Sequence, residues 1–302
     1  MFELTRAADN IRGAQLHRQH SERRSRGVKW DIVLIFLGTH LVLGTAPFVY
    51  TDTGAILGGI LAWITVQFGM SLGYHRLISH RSYCTPRWLE RFFALLGCLS
   101  AQSGPVTWAA IHRLHHRSAD HESDPHTPRV GFLWAQCEWT FYKRPEIDSW
   151  DSKVRIAADV AADPFMRFLD RNFVSVNAAA VICIGLAGYA WNGVFGAISL
   201  TVWGCFVRIV VTWHLIFLIN SAGHLWGYRN YNTRDDSRNV WWLAPFVFGD
   251  GWHNNHHADP SSAAHGHRWF EVDINYWFIL FMRSVGLAKR VIRPKFRYRN
   301  GT

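Results

Sequence analysis

Cysteine is scarce in this 302-residue chain: Cys84, Cys98, Cys137, Cys183 and Cys205 lie far apart, with no CxxC pair among them. That spacing excludes a disulfide framework and a thiolate metal site, and it suits a reducing, cytoplasmic setting. Acidic residues are also few, 22 against 32 Lys and Arg, for a net charge of +10. No cleavable signal peptide is expected, because the first thirty residues are polar and basic and the first apolar run is already long enough to span. Low-complexity linkers are missing as well, which argues for one domain.

Long apolar runs are what the chain has instead. Residues 31–50, 54–73, 173–191 and 193–219 are each about twenty residues or more, enough at 1.5 Å per residue to cross the ~30 Å hydrocarbon layer. The mean hydropathy of −0.03 does not oppose this, since long charged segments dilute the runs. The turns at 51–53 and at 192 hold no Lys or Arg; residues 1–30 hold 7, 74–172 hold 13, the tail from 220 holds 11, and Arg208 alone lies inside a run. By the positive-inside rule this predicts two hairpins with both termini and the large loop on the cytoplasmic side. The expected fold is all-α and polytopic, with four transmembrane helices under a cytoplasmic helical cap. Residues 1–30 form a basic lead near the membrane surface, 31–287 the membrane domain, and 288–302 a basic tail. Within the domain, 89–104 is too short to span and reads as an interfacial helix, 145–171 as an amphipathic helix with Pro164 at a first turn or kink, and 274–287 as a segment lying on the membrane. A nucleic-acid partner is not expected, since four spanning runs already explain the basic charge.

Seventeen histidines are present, and nine of them form a pattern. His75 and His80 make HxxxxH in "GYHRLISHR"; His112, His115 and His116 make HxxHH; His253, His256 and His257 repeat it in "GDGWHNNHH"; and His224 follows Asn220 by four residues in "NSAGH". On an α-helix, at about 100° per residue, positions i+3 and i+4 fall to either side of i, so one HxxHH turn can serve two neighbouring metals. Positions i and i+5 fall far apart, so His75 and His80 converge only where the helix ends or loosens. The predicted topology puts all four groups on one side of the membrane. Nine imidazoles without cysteine exceed a closed structural zinc site and suit two borderline metals, iron or zinc commonest, with open positions. His17, His20, His265 and His267 read as solvated, His40 and His214 as satisfied residues inside spans, and His121 and His126 as possible supports for the ligands. Metal-bound imidazoles need a carboxylate or carbonyl on the other nitrogen, and Asp120, Asp124, Asp235, Asp236 and Asp250 are at hand.

These residues resemble the membrane fatty-acyl desaturases with three histidine boxes, of the Δ9 (stearoyl-type) group and its bacterial branch. The resemblance rests on "GYHRLISHRSY", "HRLHHRSADHESDPH", "NSAGHLWGYRNY" and "GDGWHNNHH" and runs from about residue 30 to 287. It implies a four-span fold whose cap holds two irons, ligated by His75, His80, His112, His115, His116, His224, His253, His256 and His257, with Asn220 acting through a water. It implies that dioxygen, activated at the reduced iron pair, takes two hydrogens from an unactivated methylene pair and leaves a cis double bond. Chemistry of that difficulty is beyond acid–base side chains and needs a redox metal in a site closed to water.

The acyl chain would lie in a buried tunnel, with Trp108, Trp213, Trp241, Trp242 and Trp252 as expected walls. Lys143 and Arg144 in "FYKRPE" are candidates to meet a phosphate, and Arg208 to act as a polar partner near the tunnel or metals. Animal acyl-CoA members carry Arg-Asp just before the second box; Ala110 and Ile111 stand there in this chain, which leans towards an acyl chain carried on a glycerolipid rather than on CoA. With no HPGG-type cytochrome b5 segment, electrons are expected from a separate ferredoxin or cytochrome b5-like donor, with its reductase, docking on the basic face. The expected location is multi-pass in a bacterial cell membrane, termini and active site cytoplasmic. Two alternatives use similar residues: a di-iron membrane hydroxylase, whose alkane-group "NYxEHYG" motif is missing, and a histidine-rich zinc-binding membrane protein or carrier.

Overall fold

The computed structural model describes residues 21–49 and 53–295. His17 and His20, the turn at 50–52, most of the basic lead and the end of the basic tail lie outside the described residues. Within them the chain is mostly helical, with isolated β-bridges and no strand.

Among the described residues three helices are long and apolar enough to cross a membrane by length and composition: Trp30–Phe48, Thr53–Ser79 and Phe173–Leu225. The first begins as α1 (Trp30–Thr45), with Leu34, Leu37 and Leu41 turned outwards. Exposed Leu on a helix that is apolar all round fits a lipid neighbour, not water. The second starts as α2 (Thr53–Phe68) and continues as a π-helix over Gly69–Ser79. Next come α3 (Arg87–Cys98), α4 (Pro105–Ser118) and α5 (Pro164–Arg171), then α6 (Phe173–Thr201), a second π segment at Val202–Val207, and α7 (Arg208–Leu225). Two short helices close the chain, α8 (His253–Ala258) and α9 (Ile274–Ser284).

The run from 173 to 225 is broken at Asn192 and Gly193, whose backbone is not helical; Gly193 has φ +55°. A side chain on Gly188 would strike the backbone of Gly196, and Gly204 faces Ile184. Residues eight and twenty apart cannot touch along one straight helix at 1.5 Å per residue, so the chain doubles back at this break. Glycine at 193 supplies the left-handed turn and glycine at 188 and 196 the close approach. The expected helix over 145–171 is instead four short helices, the last entered at Pro164, where Asp163 caps the N–H of Phe165 (2.9 Å).

Three devices set the site in place. The π-helix packs on α3 through small residues: a Cβ on Gly69 would sit 2.4 Å from the N of Gly97, and one on Gly73 2.9 Å from Phe93. Asp170, on α5, accepts from Val106 N (2.6 Å) and from the Thr107 hydroxyl (2.6 Å), so a carboxylate caps the N-terminus of α4 where the helix dipole favours it. Arg208, buried in α7, donates to the carbonyl oxygens of Leu99 and Gly204, while Trp213 Nε1 donates to Ser100 O at 3.0 Å and Asn177 to Cys98 O at 3.1 Å. These donors take the carbonyls left over at the C-terminus of α3, groups that have no water to turn to in an apolar layer.

Candidate metal centre

The π-helix answers the problem posed by the HxxxxH pair. Its i→i+5 bonds set residues five apart one above the other, and His80 N donates to His75 O at 3.2 Å. The two rings lie 5.1 Å apart, centroid to centroid. His112, His115 and His116 stand in the last turns of α4, His224 in the last turn of α7, and His253, His256 and His257 on the short α8.

Together they make two clusters. His75, His80, His112, His116 and His256 bring one nitrogen each to within 4.8 Å of one another, and His115, His224, His253 and His257 do the same. Each HxxHH turn gives its i and i+4 residues to one cluster and its i+3 residue to the other, with the assignment reversed between α4 and α8. Nitrogens meet edge to edge: His80 and His112 Nε2 are 2.7 Å apart, His75 and His256 3.0 Å, His116 and His256 2.9 Å, His224 and His253 3.0 Å, His115 and His257 3.3 Å.

Carboxylates fix which nitrogen holds the proton. Nδ1 of His75 faces Asp250 (3.0 Å), that of His115 faces Asp124 (3.1 Å), that of His224 faces Asp120 (2.9 Å) and that of His257 faces Asp235 (2.8 Å). With the proton on Nδ1, the converging Nε2 atoms are bare lone pairs, an arrangement that a cation stabilises and an empty apolar pocket does not. Burial first, then the neighbouring imidazoles, holds His80, His112, His116, His253 and His256 well below the ordinary histidine range, so they are neutral and able to bind metal. Burial also takes His257 down to about 4. His115 moves the other way: burial opposes its charge, but Asp124 outweighs burial. Asp250 is held well below the usual carboxylate range because His75 and Arg76 overcome the effect of burial. The donor set therefore fits two borderline metal ions, with no thiolate and no exposed carboxylate among the ligands.

A largely apolar cavity of about 870 Å³ leads to this centre, lined among others by Ile35, Phe36, Trp108, Phe173, Trp213 and Phe217. Trp108, His112, Ile216 and Asn220 also border a second space of about 440 Å³ that reaches His75, His115, His253 and Asp250. The two spaces meet at Trp108, His112, Ile216 and Asn220, beside the metal centre. Trp108 stacks on His112 (4.8 Å between centroids), and its Nε1 donates to Gln102 Oε1 at 3.1 Å.

A match to the family model described as fatty acid desaturase covers residues 53–277. The chain belongs to the fatty acid desaturase family. As a member it is an oxidoreductase. It is 40% identical over 267 residues to the sn-1 stearoyl-lipid 9-desaturase of Anabaena variabilis, covering 87% of this chain and 94% of that one. It is 38% identical over 266 residues to the sn-2 palmitoyl-lipid 9-desaturase of Nostoc sp. (strain 36), covering 88% and 90%. Delta-9 acyl-lipid desaturase 1 of Arabidopsis thaliana is 35% identical over 290 residues, 95% of this chain and 91% of the plant protein.

Several expectations are corrected in this desaturase. His265 is not solvated: it is fully buried, with its ring 4.4 Å from that of His256. His267 is half-buried and bonded through Nδ1 to the Tyr231 hydroxyl (2.9 Å). Trp241 and Trp242 are 67% and 38% exposed and line neither space, and Trp252 is buried with its Nε1 spent on Val272 O (2.8 Å), so only Trp108 and Trp213 of the expected five are walls. Arg208 lines neither space; backbone carbonyls occupy its guanidinium. Of "FYKRPE", Lys143 is exposed while Arg144 is buried, its guanidinium 4.5 Å over the ring of Trp139, and both border a small pocket with Arg23 and Arg26. Asp236 pairs with Arg129 (2.8 Å) rather than with a histidine. His126 is buried 4.4 Å from the ring of His115 and lines the larger cavity, whereas His121 is exposed. His40 and His214 bond to each other (Nε2 to Nε2, 3.0 Å).

Proposed function

We propose that this desaturase inserts a cis double bond, at the Δ9 position, into a saturated acyl chain esterified to a membrane glycerolipid, consuming dioxygen at a histidine-ligated pair of irons. One observation carries the reading: two adjacent clusters of buried imidazoles beside a largely apolar cavity that is lined on its other side by Ile32, Ile35 and Phe36 of the first membrane-crossing helix. Five ligands, His75, His80, His112, His116 and His256, would hold one iron. His115, His224, His253 and His257 would hold the other, with Asn220 at the border of both spaces in reach of a bound water. The irons would supply the dioxygen-activating redox chemistry that an unactivated C–H bond demands.

The protein's own part is placement and exclusion. Trp108, fixed by Gln102 and stacked on His112, walls the chain beside the centre, and Trp213, Ile216 and Phe217 keep water from it. The exposed Arg26 and Lys143 would face the polar end of an anionic lipid, and the named relatives act on lipid-bound chains. The reversal at Asn192–Gly193 supports four crossings in a single membrane domain over 31–287, with basic flanks at 1–30 and 288–302. Charge asymmetry supports cytoplasmic termini and active site, in a bacterial cell membrane. An acidic ferredoxin or a cytochrome b5-like protein, with its reductase, would supply electrons at the basic face.

The test is expression in a host that lacks Δ9 unsaturation, with an electron donor supplied, followed by gas chromatography of lipids with double-bond derivatisation. A new cis-Δ9 chain appearing first on glycerolipid is expected. No new unsaturated chain from iron-loaded protein overturns the reading, and a hydroxylated product would move the chain to the hydroxylases. His112→Ala and His256→Ala should both be silent.

A further inference from the structure

The six-residue α8 carries three of the nine clustered histidines and divides them, His256 to one cluster and His253 and His257 to the other. A helix of that length is not stable alone, because the cost of its first turn is not repaid. Trp252, at its N-cap, makes no capping bond through its side chain. A roll of this turn would move ligands in both clusters at once, so its orientation must be fixed from outside.

The cap comes from Asn239. Its Oδ1 accepts the N–H of Asn254 (3.0 Å) and of Asn255 (3.2 Å), the second and third residues of α8 and the donors that an N-cap side chain serves. Asn239 is 0% exposed and is itself held through its main chain: its N–H donates to Tyr228 O (2.7 Å), and its O accepts from Tyr228 N (3.2 Å). An isolated bridge joins it to Trp252 as well, so one residue ties the segment leaving His224 to the start of α8.

Further amide contacts lock the roll. Asn239 Nδ2 donates to Asn255 Oδ1 (2.9 Å), and Asn255 Nδ2 donates to Glu271 (2.7 Å) and to His265 O (2.8 Å). Glu271 is 4% exposed and also accepts from the Tyr228 hydroxyl (2.6 Å) and from the N–H groups of His267 (2.7 Å) and Arg268 (2.8 Å). With both ends of the Asn255 amide engaged, the buried network specifies one orientation of the turn, where an apolar contact would let it rotate.

Resting on the metal-site reading above, we infer that Asn239 is the positioning residue of the second HxxHH turn: it caps α8 from outside the helix and, with Glu271, fixes the roll that divides three histidines between two metals. Neither residue belongs to a histidine motif; Asn239 stands 14 positions before His253 and Glu271 14 after His257. Asp120 backs a ligand of one cluster, whereas Asn239 acts through a turn that serves both, so the two losses have different signatures.

The test compares Asn239→Ala with Asn239→Asp in the full-length, detergent-purified protein. Alanine removes the cap. Aspartate keeps the accepting oxygen, with a charge that a helix N-terminus favours, and gives up the donor to Asn255. In metal-free protein, hydrogen exchange of the α8 amides should quicken about 2–30-fold in the alanine variant, the range expected for a lost cap, with α4 unchanged. Competition for Fe(II) should show both sites weakened. The aspartate variant should exchange more slowly than alanine in α8 and bind both irons more tightly. Wild-type exchange in the alanine variant would overturn the inference, as would weakening of one site only, an aspartate variant no better than alanine, or lost protection in α4 with a collapsed melting transition. Wild-type protein that binds no iron pair would instead refute the metal-site reading beneath it.

Discussion

Asp120→Asn tests how far a single buried carboxylate governs a metal site. Asp120 is 2% exposed and has φ +62°, a left-handed backbone that Asn adopts more readily than most residues, so the substitution adds little strain. One of its oxygens accepts both from Nδ1 of His224 (2.9 Å) and from the N–H of Asp236 (2.7 Å). The amide oxygen of Asn can take that place and still accept from both, with its NH2 at the buried, unpartnered position of Oδ1; what the substitution removes is the negative charge that holds the His224 proton on Nδ1 and strengthens its Nε2, 3.0 Å from His253 Nε2, as a ligand. Loss of such a supporting partner weakens metal binding about 10–100-fold, which is about 1.4–2.8 kcal/mol. The assay is competition for Fe(II) against a chromophoric chelator, under anaerobic conditions in detergent. One of two sites should weaken by that factor, and the melting temperature without metal should not move. An affinity within twofold of wild type would refute the reasoning, and so would equal weakening of both sites.

Removing metal by dialysis against a chelator should lower the melting temperature, because a ligand bound only by the native state stabilises it by about 2.7 kcal/mol at 100 times its Kd; an unchanged melt would show that the clusters are empty in the native protein. Gly69→Ala places a Cβ 2.4 Å from Gly97 N and should destabilise the protein by roughly 1–3 kcal/mol or more and displace His75, read as lost stability together with lost metal. Arg208→Leu orphans the carbonyl of Leu99 and should cost about 1–3 kcal/mol in unfolding experiments, with Arg208→Lys less damaging. Asp159 is raised by burial but pulled down further, to about 2, by Arg113 and Arg81. Its contribution is therefore complete above pH ~4 and fades as pH falls through about 2. Solvent screening keeps that contribution under ~1 kcal/mol, and Asp159→Asn should flatten this part of the acid titration of stability.

What the sequence made legible is what local periodicity encodes. The 100° step of an α-helix already divides each HxxHH turn between two neighbours, and apolar runs mark the lipid-facing helices. The same step failed at HxxxxH, because the π-helix of Gly69–Ser79 depends on the fit of Gly69 and Gly73 against α3, which no local pattern reports. Partner choice was equally hidden. Asp250 meets His75 across 175 residues and Asp120 meets His224 across 104, so five candidate carboxylates could be named but not assigned. His265 was misread because "SAAHGH" has no apolar periodicity and lies past the last box; contacts distant in sequence, with Asp273, Asp250 and Asn255, carry it inward. Trp241 and Trp242 failed for the opposite reason, as aromatic residues near the third box that turn outwards. Arg208 was recognised as a charge in need of a partner, but its partners are main-chain carbonyls, which have no residue signature.

The reversed assignment of α4 and α8 makes the two histidine clusters a linked pair. Neither cluster can widen without rotating a helix turn that also carries ligands of the other. A slide of α4 or α8 by a single residue would swap ligands between the clusters and spoil both. The spacing between the two sites is in this way set by the pitch of two short helix segments and not by any loop. The two sites therefore share the backbone that presents them, while the carboxylates behind the ligands serve one cluster each, Asp250 the first and Asp120, Asp124 and Asp235 the second.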